Sequence, residues 1–160
     1  MIASKTSFRK KVLWIMGFAL LLPNLGSAQM VDFPDIDSVE VVRDAADLRT
    51  EVDRPDRDVV DTVLAFTNLA QTDARVSCVA FAANGETVGS VRINVPANSL
   101  RFMLASDFSH SRDFVGHARC RTGLRLLGTS VLLAPGAMTD LSVRQVRRPG
   151  LTIFPVVATY

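Results

Sequence analysis

From Val59 onward the chain reads as strands, and in several of them apolar and polar residues alternate with a period of two. That is the spacing of strand side chains that face a core on one side and solvent on the other. VVDTVLAFTN opens the run as a β-branched, apolar segment, and RVSCVAFA follows it. Asn84-Gly85 then supplies a strong hairpin signal. In ETVGSVRINV, Val91, Ile93 and Val95 fall on one face, Arg92 and Asn94 on the other. After a turn at Pro96-Ala97-Asn98, LRFML points Leu100, Phe102 and Leu104 inward, and ASDFSHSRD reads as a polar loop. FVGHARCRT divides cleanly: Phe114, Gly116, Ala118 and Cys120 share the core side, Val115, His117, Arg119 and Arg121 the other. LRLLGTSVLLA predicts a strand with a bulge at Gly128. Pro135-Gly136, the strand TDLSVRQV, Pro149-Gly150 and LTIFPVVATY complete the chain. Short strands with a turn signal every 8–12 residues or so predict an all-β fold over residues 59–160, an antiparallel β-sandwich of seven or eight strands.

The first sixty residues follow other rules. Lys5, Arg9, Lys10 and Lys11 form a positive head, residues 12–22 an apolar run, and Gly26-Ser27-Ala28 a small-residue site before Gln29. This is the pattern of a secretory signal peptide over residues 1–28, and it predicts an exported, periplasmic or extracellular protein. No later apolar run reaches the ~18 residues of a spanning helix. Residues 29–58 form an acidic lead-in, expected to be partly ordered. Within it SVEVV is a candidate strand, and VVRDAADLRTEV a candidate for one or two turns of helix. It is either a solvated arm or an acidic strip docked on the arginines of its own domain.

Removing the signal peptide changes the charge. All three lysines leave with it, and 14 arginines face 16 acids, so the mature chain is slightly acidic and a basic nucleic-acid binder is not supported. The charge is also divided. Residues 30–61 hold eleven acids and four arginines, and residues 62–160 five acids and ten arginines.

The chain has two cysteines, Cys78 and Cys120. An even count in an exported chain predicts one disulfide. A metal pair is the weaker reading, because His117 and Cys120, three apart, lie on opposite faces of a strand. A bridge joining an early strand to a late one resembles the inter-sheet bridge of immunoglobulin-like domains, over roughly residues 59–147. The resemblance extends to architecture only: the mature chain has no tryptophan, and Ala118 stands where antibody-type domains carry a tyrosine. It implies that the disulfide lies between two packed sheets.

Catalytic motifs are missing: no GxSxG, no HExxH, no paired-cysteine motif and no phosphate-binding glycine loop. No catalytic residue, metal or cofactor is expected. His110 sits among Ser109, Ser111 and Asp113, but neighbours in sequence do not make a triad. This loop is the basis of one alternative, a small hydrolase or metal-dependent protein. Carbohydrate platforms normally use exposed tryptophan and tyrosine, which the mature chain almost lacks.

The candidate binding residues are His117, Arg119, Arg121 and Arg125, with Arg92, Arg101 and Arg144 outward on other strands. Guanidinium forks suit carboxylates and phosphates. The bland explanation is that exposed strand positions must be polar in any case. The expectation is a non-enzymatic exported module that engages another envelope protein, through the tail LTIFPVVATY as an exposed edge or through the arginine face. Alternatives are binding of an anionic envelope polymer by that face, and a small outer-membrane β-barrel. Pro155 interrupting the last strand and the lack of aromatic girdles oppose the barrel.

Overall fold

The last strand is the hinge of the architecture. In the computed structural model, which describes residues 38–54, 58–110, 112–146 and 150–160, β10 (Leu151–Ala158) pairs along its full length with β6 (Phe114–Thr122). On its other side it meets β9 (Arg144–Gln145) at Thr152 and Ile153, and β2 (Asp61–Thr67) at Ala158. The expected signal peptide, its cleavage site and the start of the acidic lead-in lie outside the described residues, as does Pro149 of the last expected turn.

The remaining strands extend from this centre in two limbs. Beyond β6 lie β3 (Ala74–Ala82), β4 (Thr87–Val95) and β1 (Val39–Glu40). Beyond the Ala158 to Asp61 pair lie β2, with β5 (Leu100–Leu104) on one flank and β7 (Leu127–Ala134) and β8 (Ala137–Leu141) on the other. The fold is therefore all-β. Eight described strands have five or more residues, and β1 and β9 have two each. The sheet is mixed rather than purely antiparallel, because β1 runs parallel to β4.

One main core draws on both limbs. It takes Leu64, Phe66 and Met103 from β2 and β5, and Val76, Cys78, Val91, Ile93, Ala118, Cys120, Phe154 and Val156 from β3, β4, β6 and β10. The inward alternation read from Val91, Ile93, Val95 and from Ala118, Cys120 is the one observed. In β5 the alternation misleads, because Phe102, Met103 and Leu104 are all buried. A second, smaller cluster lies on the far side of β2 and β5, made of Val63, Ala65, Phe102, Leu104 and Leu133. Leu48 packs against it from helix α1 (Ala45–Val52). Asp44 caps that helix, accepting from the Ala46 and Asp47 amides while Asp47 accepts from the Asp44 amide. The lead-in is tied to the domain by an ion pair of the opposite sense to an acidic strip on arginines. Arg43 donates from both terminal guanidinium nitrogens, Nη1 and Nη2, to the carboxylate of Asp107, in the short helix α2 (Ser106–Ser109), and its guanidinium carbon lies 5.9 Å from the Phe102 ring centre. Asp44 adds a 3.8 Å pair with Arg101 in the expected sense.

Three expectations are corrected. First, the disulfide Cys78–Cys120 does not span two layers. The two residues are direct cross-strand partners on β3 and β6, with Cα atoms 4.0 Å apart, so the bridge staples neighbouring strands of one limb. Second, β7 has no bulge at Gly128, and its register against β2 is continuous. The glycine instead makes room for a ring: a Cβ there would meet Cζ of Phe154 at 2.8 Å. The irregularity lies between Ala80 and Phe81. Third, LTIFPVVATY is not an exposed edge. Phe154, Val156 and Ala158 are fully buried, and β10 has neighbours on both sides. Pro155 is tolerated in mid-strand for a geometric reason. The Val157 amide and carbonyl face Thr62 Oγ1, away from β6, so two residues earlier the missing N–H of Pro155 also falls away from the β6 ladder.

Two measurements follow from this packing. Reduction, or replacement of both cysteines by alanine, removes a constraint closing 42 residues and lowers unfolding stability by ~4 kcal/mol in urea titrations. An unchanged midpoint would show that the bridge contributes nothing. Gly116→Ala would place a methyl 1.9 Å from the Phe81 carbonyl oxygen and costs about 1–3 kcal/mol, whereas Gly123→Ala, with open space around it, changes stability little.

Candidate functional site

Because Val76, Cys78, Val91, Ile93, Ala118, Cys120, Phe154 and Val156 point into the core, their strand neighbours must point the other way. The register then lays them out as rows across the sheet. One row reads Glu40, Arg92, Ser77, Arg121, Leu151. The next reads Ser90, Val79, Arg119, Ile153, Arg144. A third holds Phe81, His117 and Pro155, and Arg75 stands beside Asn94 at the other end of β3. Five arginines and one acid thus share this face among the described residues. Arg75, Arg92, Arg121 and Arg144 are exposed, while Val79, Phe81, Ile153 and Pro155 form a partly to fully buried apolar ground between them.

Three side chains on this face form a stacked unit. The His117 ring lies parallel to Phe81, centres 5.3 Å apart and planes at 20°. The Arg119 guanidinium sits 4.8 Å from the Phe81 ring centre, in cation–π range. Its Nε–H donates to His117 Nε2 at 3.2 Å. That bond requires a neutral imidazole with its proton on Nδ1. Burial, and then the Arg119 charge, hold the His117 pKa below its ordinary value.

The structure brings His117, Arg119 and Arg121 together on one strand face and sets Arg125 apart. Arg125 follows β6 and borders a cleft of about 480 Å³ with Thr122, Leu124, Gln145 and Leu151. Arg101 belongs to the other limb, beside Asp44. Arg75, Ser77 and Phe81 were missed as site residues. The alternation of RVSCVAFA about Cys78 carries the signal that places them opposite the core.

The His110 loop is differently engaged. His110 caps α2 in a left-handed conformation (φ 45°). Ser109 Oγ bonds the Tyr160 hydroxyl at 2.9 Å, and Asp113 accepts from the Tyr160 amide at 2.8 Å. Asp61 is the one fully buried acid among the described residues. Burial raises its pKa, and its carboxylate is committed to the Thr62 and Ser106 amides. Among the described residues no three His, Cys, Asp or Glu side chains converge as a metal site would need, and no helix is long and apolar enough to cross a membrane. Set against protein-family models, curated proteins and solved structures, the chain matches none.

The Phe81–His117–Arg119 unit has a pH signature. A depressed histidine pKa means that the folded state resists the proton. The unit's contribution to stability is present above the ordinary imidazole value and is lost as pH falls through the lowered one. In an NMR titration His117 titrates below the value it has in the denatured chain, and Arg119→Gln moves its midpoint upward. An ordinary midpoint in the native protein would contradict the stacked, hydrogen-bonded arrangement.

Proposed function

We propose that this chain is an exported, non-enzymatic β-domain that binds an acidic envelope protein through the arginine face of β4, β3, β6 and β10. We read its two limbs as the layers of an immunoglobulin-like sandwich, residues 59–160, carrying residues 29–58 as a lead-in. Export rests on the signal-peptide pattern, and a disulfide is compatible with it.

The observation that carries the binding reading is the interleaving of the face. Arginines alternate with Val79, Phe81, Ile153 and Pro155. Arginine and aromatic side chains are the residues enriched at protein interfaces. A hydrophilic polyanion would use the guanidinium groups and leave the apolar ground unused, which favours a protein over an anionic polymer. The interior is apolar and the arginines face outward, the inverse of a lipid-facing barrel. Ser109 and Asp113 are held by Tyr160 rather than grouped about His110, which disfavours the hydrolase.

Photo-crosslinking in the native envelope tests the reading, since the mature chain has no lysine for conventional reagents. Probes at Asn94 and Arg121 are expected to capture the same acidic protein, with capture falling as salt rises. A probe at Leu69, exposed at the turn after β2, should not capture it. Capture of polysaccharide in place of protein would transfer the face to the polymer reading. Equal capture at Leu69 would overturn the assignment of the face.

A further inference from the structure

Ser77 is surrounded by arginines. Arg92 on β4 and Arg121 on β6 are its direct cross-strand partners, and Arg75 stands two residues before it on its own strand and face. Flanking strands lie about 4.8 Å away, and the next same-face residue along β3 about 6.7 Å. Three arginine positions thus ring Ser77 on the outer face; the serine is half-buried and the arginines are exposed. Such a ring has the donors and charge to seat oxyanions, with the serine hydroxyl at its floor. The chain supplies one acid to the same row: β1 joins β4 as a two-residue parallel strand and sets Glu40 in register with Arg92.

We infer that Arg75, Arg92 and Arg121 around Ser77 form a carboxylate-binding seat for an acidic polypeptide segment, and that Glu40 is its internal competitor. The inference rests on the proposed role of the arginine face and names the ligand chemistry and the subsite within it. Val79, almost fully buried at 3% exposure, follows Ser77 on the same face and lies in the row of Ile153. Val79 itself is already covered by its neighbours, and the hydrocarbon left accessible beside the seat is half-buried Leu151, next to Arg121, and Ile153 beyond it, so a segment whose carboxylates meet the arginines lays its other side chains there. Glu40, on a two-residue strand, stands in register with Arg92 alone of the three arginines, so it is there that a partner carboxylate competes with it.

The test uses the mature protein and a fluorescent oligoglutamate peptide, with the oligoglutamine peptide as control, read by anisotropy at low salt. Oligoglutamate is expected to bind and oligoglutamine not. Arg75→Gln combined with Arg92→Gln should weaken binding about tenfold or more. Glu40→Gln should tighten it several-fold, a gain that a misfolded variant would not produce. Arg49→Gln, on α1, serves as the charge control and should change affinity little. If oligoglutamate binds but the double variant matches Arg49→Gln, or Glu40→Gln leaves affinity unchanged, the seat is overturned while the face remains a binding surface. If no oligoglutamate binds at any salt concentration, the reading of the whole face falls with it.

Discussion

Phe154 interlocks the two limbs of the sheet. Its ring is fully buried and meets Phe66 of β2 edge to face at 5.3 Å. On β7 it occupies the space that Gly128 leaves by having no side chain. Aromatic pairs of this geometry add to burial, and the missing Cβ lets β7 approach the ring. Strand β10 is thereby fixed against β2 and β7 while it pairs with β6 along eight residues. With Phe154 inward, period-two alternation leaves Ile153 and Pro155 no choice but the outer face. Their partners across the ladder are Arg119 and His117. The packing of one core ring and the composition of the candidate binding surface are thus linked by strand geometry.

The two limbs differ in what lies outside them. Over β2 and β5 the second apolar cluster receives Leu48 of α1, whose approach is set by the Asp44 cap and the Arg43 to Asp107 pair. The outer face of β4, β3, β6 and β10 instead presents exposed arginines over a ground of valine, isoleucine, proline and phenylalanine. A surface of this kind is stable in water because the charged heads are solvated while their stems cover apolar neighbours. The stack of Phe81, His117 and Arg119 makes part of it sensitive to acid, since protonation of His117 removes the acceptor that Arg119 uses.

The disulfide belongs to this outer limb. It joins β3 and β6 beneath the arginine rows, Cys78 next to Ser77 and Cys120 between Arg119 and Arg121. Both cysteines are inward, Cys120 as the alternation of FVGHARCRT requires. A bridge between adjacent strands fixes their register, and a shift by one residue would turn the arginines inward. We read the staple as protecting the surface pattern as much as the core.

Local order was legible in the chain. Alternation marked most strands and their inward faces, although β5 is buried on both faces and the segment read as one strand, TDLSVRQV, divides into the end of β8 and β9. Asn84-Gly85 marked a hairpin, and the pattern around Cys120 put His117, Arg119 and Arg121 on one side. These are properties of neighbouring residues, and they follow from strand geometry without knowledge of the fold. What lay beyond reach was which strands become neighbours. That Cys78 faces Cys120 within one limb, that LTIFPVVATY is enclosed, that Gly128 receives a ring and that Arg92 and Arg121 flank Ser77 are all long-range outcomes. They depend on register between segments tens of residues apart, where the free energy is set by the fit of side chains across the core. Alternation says which way a side chain points, and only the packed structure decides what it points at and stands beside.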